Sequence, residues 1–314
     1  LLAGIFLAVP TVNLALYTTA SLGGYGEALL LGNLILLLGF RIAGIVRESS
    51  KEETSGKLHL AWGLWGLMSG FGIWVFGLTL VYSIPMGLYL VWVLIQNRSS
   101  TSVVDKLGLM LMGLCVGAAP WLIYAFKHGL PTLMQELLGS AVADVGQIPV
   151  TLRPFVYFYR FVLLGTTVTM GIRPPWGVNW LLLPLIPFVL MFWAGVAGFI
   201  VRSLMPDHRF RDQAAVVVGV ISTNLAGFLF TPFGADPSGR YFLPMSVGLA
   251  LFAAYMVYIL SQERKAILIG LTLLVVVYQL GGLLQSVHRS PHGLTTQFDK
   301  VARIDHAYNR MLID

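Results

Sequence analysis

Long apolar runs alternate with short polar joints along the whole chain. Nine runs are candidates to cross a membrane: residues 1–18, 27–46, 58–74, 76–95, 107–126, 178–201, 214–231, 241–260 and 266–287. Each approaches the roughly 20 apolar residues that a helix needs to span the hydrocarbon core. The runs are continuous and lack the period-two alternation of a lipid-facing strand, which excludes a β-barrel. Lipid offers no partner to backbone N–H and C=O groups, so helices remain. The expected fold is an all-α integral membrane protein, a polytopic bundle of about nine transmembrane helices.

Composition agrees with the pattern. Of 314 residues only 11% are Asp, Glu, Lys or Arg, and 57% are hydrophobic. A soluble domain carries about 25% charged residues. The mean hydropathy is +0.79, so a soluble enzyme and a disordered chain are both excluded. One cysteine, Cys115, excludes a disulfide framework. The chain opens at Leu1 inside an apolar run and closes at Asp314 within an amphipathic pattern, so we expect it to be a piece of a longer protein.

The net charge of +6 comes from basic residues scattered between apolar runs, not from a stripe, and nucleic acid is not an expected partner. Their distribution predicts an orientation. Arg41, Arg47, Lys51, Lys57, Arg98, Lys106, Arg202, Arg209, Arg211, Arg264 and Lys265 fall on one side. Lys127, Arg153, Arg160, Arg173 and Arg240 fall on the other before the C-terminal tail. The richer set is expected in the cytoplasm. This decides how segment 155–172, FVYFYRFVLLGTTVTMGI, is read. As a tenth span it would move Arg202, Arg209, Arg211, Arg264 and Lys265 outside. We therefore expect it to lie at the interface or to dip in and out, with Phe155, Tyr157, Phe158, Tyr159 and Phe161 at headgroup level.

With that topology the Gly-, Pro- and polar-rich joints collect outside the cytoplasm, and candidate chemistry is sought there. Asp236-Pro237-Ser238-Gly239-Arg240-Tyr241-Phe242-Leu243-Pro244 sits at the outer mouth of a span. A guanidinium there can hold a phosphate bidentately, and the neighbouring phenol can donate a further hydrogen bond. The same residues are equally at home as an interfacial anchor, Arg snorkelling and Tyr in the aromatic belt. Arg173-Pro174-Pro175-Trp176-Gly177 is a second basic turn, in which Trp176 can stack on a sugar ring or simply mark the interface. Gly23-Gly24-Tyr25-Gly26-Glu27 opens the span 27–46. Placing Glu27 near a helix N-terminus already accounts for its charge.

Other features read as structural. Gly66 with Gly70, and Gly113 with Gly117, have the spacing that lets membrane helices approach closely. Asn13, Asn33, Thr223 and Asn224 are among the few polar residues within runs, and no Asp, Glu, Lys or Arg lies near a run's centre. Ion-coupled transporters usually need such groups, and no internal repeat is evident. His288 and His292 are separated by Pro291 with no third ligand nearby, so no metal site is assigned. Asn97-Arg98-Ser99 matches a glycosylation sequon, but on the cytoplasmic side.

Four stretches carry a family resemblance: GGYGEALLLGNLILLLGFRI, GLWGLMSGFGIWVFGLTLVYSIP, LLGTTVTMGIRPPWG and DPSGRYFLP. Their order resembles the C-type glycosyltransferase superfamily (GT-C), in particular the bacterial branch of glycosyltransferase family 39, the dolichyl- or polyprenyl-phosphate-mannose-dependent mannosyltransferases. The resemblance implies a multi-pass enzyme of the plasma membrane and cell envelope. It would move a mannose-like sugar from a polyprenyl-phosphate donor to a glycan, lipid or protein acceptor on the extracytoplasmic face. It implies a catalytic acid in a first outer loop, which would precede Leu1. It also divides the chain into a transmembrane domain, 1–287, and the start of an extracytoplasmic domain, 288–314. Arg240, Tyr241 and Arg173 become the expected ligands of the donor phosphate, and Asp236, Trp176, Tyr25 and Glu27 the expected substrate contacts. No cofactor is evident. A divalent metal would suit the missing acid, but this chain offers no ligand set for one. The alternatives are a polytopic transporter or lipid flippase, and a non-catalytic membrane subunit.

Overall fold

A computed structural model describes residues 1–19, 24–48, 55–96, 103–137, 149, 151–172, 182–205, 211–235 and 240–289. No strand occurs among them, and almost all are helical. Six helical stretches are long and apolar enough to cross a membrane: Tyr25–Arg47, Leu58–Val75, Gly77–Gln96, Ile186–Ser203, Arg211–Phe230 and Lys265–Leu284. This is an all-α membrane protein. Large apolar side chains cover its outside, and none of the Lys265–Leu284 stretch is buried.

Three of the nine expected spans take another form, each beside a proline. Residues 1–18 are two short helices, α1 (Leu2–Ala8) and α2 (Val12–Thr19). Pro10 has no N–H and disfavours helical geometry at Val9, which leaves the helix at φ −112° and ψ 79°. The run 107–126 is α6 (Val103–Gly117) and α7 (Ala119–His128), bent by 68°. Pro120 sits in the first turn of α7, where its missing N–H is tolerated. The run 241–260 begins with a 3-10 turn, Arg240–Phe242, and its helix starts only after Pro244. At 17 residues that helix is about 25 Å long, short of the hydrocarbon core.

The described residues pack into two compact units. One is built from parts of Ser21–Pro154 and Gly198–Ala235. Its helices are α3 (Tyr25–Glu48), α4 (Ser55–Val75), α5 (Leu80–Gln96), α6, α7, α8 (Leu130–Leu137) and α12 (Arg211–Phe230). The core lies where α3, α4 and α5 meet, around the fully buried Trp62 and Trp65. The Trp65 indole donates to the Ile35 carbonyl at 3.1 Å, and Trp121 to the Ile73 carbonyl at 3.2 Å. The expected glycine pairs meet each other here. Gly66 and Gly70 of α4 lie against the backbone of α6, and Gly113 and Gly117 against that of α4. A Cβ at Gly70 would overlap the Leu114 carbonyl oxygen and lie 2.8 Å from the Ala118 nitrogen, so only glycine permits this approach.

Two charged features of this unit were not evident from the runs. Arg47 near the end of α3 pairs with Asp212 at the start of α12, 165 positions away. The guanidinium also stacks 5.8 Å from Tyr89 and 5.9 Å from Trp92 of α5. Lys106 is buried in the first turn of α6, just outside the run expected there.

The other unit draws on Leu1–Ala20, Phe155–Ala197 and Asp236–Asp314. It contains α1 and α2, α10 (Thr166–Thr169), the greater part of α11 (Leu182–Ser203), α13 (Met245–Ser261) and α14 (Lys265–Arg289). α13 and α14 form an antiparallel hairpin, turned by Gln262 and Glu263 in left-handed geometry. The segment expected at the interface is helical from Arg153 to Thr169: α9 (Arg153–Tyr159), a π-helical stretch (Arg160–Gly165) and α10. Its first half exposes Phe155, Phe158 and Tyr159. Tyr157 is buried, as are Phe161 and the whole of Leu163–Thr169, so the aromatic cluster does not stay together on one exposed belt. The lengthened turn of a π-helix loosens the carbonyl ladder. Trp193 of α11 donates there to the Val162 carbonyl at 3.2 Å and to Thr166 Oγ1 at 2.8 Å.

Candidate functional site

In the unit that holds α13 and α14, the 3-10 turn Arg240–Phe242 fixes the residues singled out from the sequence. Tyr241, Phe242 and Leu243 are buried, while Arg240 is half-buried. The Phe242 ring packs edge-on to Phe161 at 5.5 Å and lies against Gly165, where an added Cβ would come within 2.5 Å of the ring. With Phe242 anchored, the preceding two side chains have little freedom. The Arg240 guanidinium stacks on the Tyr241 ring at 5.1 Å, a cation–π contact that orients it. Arg240 and Tyr241 therefore form a fixed cation–phenol pair at the head of α13.

Below this turn lies a cavity of about 350 Å³. One face of α13 lines it from Ser246 to Val257, a length of roughly 16 Å along the helix. Phe6 and Leu7 of α1, Leu14 of α2, Thr169, Met170, Phe192 of α11, and Val275, Tyr278 and Gln279 of α14 complete the wall, with Thr11 at the start of α2. No Asp, Glu, Lys, Arg or His lines it. Ser246 stands 15 residues before the end of α13, and Gln279 stands 14 residues into α14. In an antiparallel hairpin those two positions are level, so the polar side chains gather at the end away from the hairpin turn. Arg240 precedes Ser246 by six positions at that same end. The cavity was not legible as a site in the sequence. Its residues span positions 6 to 279, and of its polar members only Thr169 belongs to a stretch singled out in the sequence.

The remaining candidates are distributed as follows. Tyr25 and Glu27 open α3 in the other unit. The Tyr25 ring is buried edge-on against Phe76 at 4.7 Å, whereas Glu27 is exposed in the first turn of α3. Asp236, Arg173 and Trp176 lie outside the described residues, as does the sequon at 97–99; of the expected second domain, 288–314, only residues 288 and 289 are described, as the end of α14. Among the described residues no group of three His, Cys, Asp or Glu side chains is placed to hold a metal ion. Comparison with protein-family models, with curated proteins and with solved structures found no match for this chain.

Proposed function

We propose that this protein is a membrane glycosyltransferase that moves a mannose-like sugar from a polyprenyl-phosphate donor to an acceptor outside the cytoplasm. The observation that supports the reading best is the Arg240–Tyr241 pair, a guanidinium stacked on a buried ring at the head of α13. The four stretches that resemble the GT-C superfamily supply the reaction class, and the bias of basic residues supplies the orientation, with the head of α13 at the outer leaflet of a bacterial plasma membrane.

In that reaction an acceptor hydroxyl oxygen attacks the anomeric carbon. The bond from that carbon to the phosphate oxygen breaks, and the electron pair leaves with the phosphate. The hydroxyl proton passes to a general base. Charge grows on the phosphate as the bond breaks, and a cation already held in place stabilises it without reorganising. Arg240 is the residue for that task, with Tyr241 both stacking the guanidinium and presenting a phenol. Arg173 would add a second cation, and Asp236 would orient Arg240 or meet a sugar hydroxyl. Trp176 would stack on the sugar, with Tyr25 and Glu27 on the acceptor side.

The test is Arg240→Ala in the full-length enzyme, assayed for sugar transfer from a polyprenyl-phosphate donor. Removing a preorganised cation of this kind costs about 10²–10³ in rate. We expect such a loss with the amount of folded protein unchanged. Unchanged transfer would remove Arg240 from the site.

A further inference from the structure

We propose that the cavity lined by α1, α2, α11, α13 and α14 binds an uncharged lipid alcohol, with the hydroxyl at its polar end. Three residues of its wall, Thr11, Ser246 and Gln279, each carry a side-chain oxygen that is buried without a hydrogen-bond partner. Ser246 is 7% exposed as a whole residue. Buried polar groups are nearly always satisfied, and of the eight such side-chain atoms among the described residues three belong to the wall of this one cavity, where a ligand could meet them.

The chemistry of the wall selects its class. No cation lines the cavity, so a phosphate or carboxylate would be desolvated without a counter-charge. Gln279 Oε1 only accepts, whereas the Ser246 and Thr11 hydroxyls both donate and accept. A ligand hydroxyl matches this set by donating to Gln279 and accepting from a serine or threonine. A ketone or quinone oxygen has no proton to give Gln279. The rest of the wall is Phe6, Leu14, Phe192, Phe252, Met256 and similar side chains, which suit a hydrocarbon chain or ring system. Water would satisfy the polar end alone, and apolar cavities tend to stay dry. The volume lies at the lower end of the range for small-molecule sites, about 300–1,000 Å³, which fits one chain and not a whole phospholipid.

This inference stands independently of sugar transfer, because its ligand carries no phosphate. The test uses the full chain in detergent and a diazirine-bearing farnesol analogue as photolabel. Peptides from α13 and α14 are expected to label saturably, and unlabelled farnesol to compete while farnesyl phosphate does not. Ala250→Phe, which fills the cavity from the middle of α13, should abolish labelling. Ser246→Ala should weaken binding about tenfold, the scale of one or two lost hydrogen bonds, without lowering the melting temperature. If the phenylalanine variant does not fold, Ser246→Ala and Ala253→Leu carry the test. Three results would overturn the proposal. Competition by farnesyl phosphate equal to or better than that of farnesol would make the cavity the slot of a lipid phosphate. Labelling indifferent to these substitutions would place the probe on the outer surface. Absence of saturable labelling would leave water as the partner of the three polar groups.

Discussion

The contact between α4 and α6 makes the most quantitative demand on the sequence. In lipid no hydrophobic force drives helices together, so stability rests on close van der Waals packing and on weak contacts between glycine Cα–H groups and carbonyl oxygens. Replacing Gly70 by Ala adds one carbon, which would overlap the Leu114 carbonyl oxygen and stand 2.8 Å from the Ala118 nitrogen. Both obstacles are backbone, so no rotamer change relieves them. Restoring ordinary contact requires the helices to part by about 1 Å, a gap that forfeits a quarter to a half of each dispersion contact along the seam. Overpacking of this kind costs about 1–3 kcal/mol. Against that, Ala favours a helix over Gly by about 0.8–1 kcal/mol. Gly108, on the same helix α6, has nothing within 4 Å of an added Cβ and isolates the propensity term. Thermal unfolding in detergent should therefore show Gly108→Ala unchanged or slightly raised, and Gly70→Ala lowered by several degrees at the usual ~2–4 °C per kcal/mol for larger proteins. Gly70→Ala combined with Gly117→Ala should fall by less than the sum, because one separation relieves both clashes. Equal midpoints for Gly70→Ala and Gly108→Ala would refute the backbone contact.

Other consequences are as specific. Trp193→Phe removes the donor shared by the Val162 carbonyl and Thr166 Oγ1, and should destabilise the protein by about 1–3 kcal/mol in the same unfolding assay. Trp65→Phe leaves the buried Ile35 carbonyl without its indole donor and opens space in a core position, a loss of about 2 kcal/mol or more. The Arg47–Asp212 pair is partly exposed, so a double-mutant cycle in detergent should give a coupling of at most ~1 kcal/mol that shrinks with salt. Arg47→Lys should still destabilise, because an ammonium does not reproduce the planar stacking on Tyr89 and Trp92.

How far the sequence predicts this fold depends on what each signal averages over. Hydropathy over some twenty residues registers burial in lipid, and it located five of the six long spans to within three residues, while the expected run 178–201 begins eight residues before the span Ile186–Ser203. It is blind to a single missing N–H. Pro10, Pro120 and Pro244 were visible, yet each sits in a run whose mean hydropathy outweighs it. The structure instead shows two short helices, a bent pair and a late helix start. The positive-inside count has a similar blind spot. It treats Arg47 as a loop charge, whereas its partner Asp212 lies 165 positions away on another helix. Arg240 and Tyr241 are neighbours in the chain, so their stacking is a local event. Thr11, Ser246 and Gln279 were not legible, because an uncharged hydroxyl or amide in an apolar run is ordinary until its neighbours from other helices are known.

The two units answer the same physical problem in different ways. Between α4 and α6 the glycines face backbone, so the seam closes completely. In the α13–α14 hairpin, Gly248, Gly270 and Gly281 have nothing within 4 Å of an added Cβ, so they draw no helix closer. The space beside α13 is instead framed by bulky side chains, Phe6, Phe192, Phe252 and Met256, which hold the helices apart. A close-packed protein interior does not leave such a gap without a cost in lost contacts. Three buried hydrogen-bonding atoms without partners add to that cost. A ligand that supplies both the apolar contacts and one hydroxyl removes both penalties together, whereas side-chain repacking alone would relieve only the first.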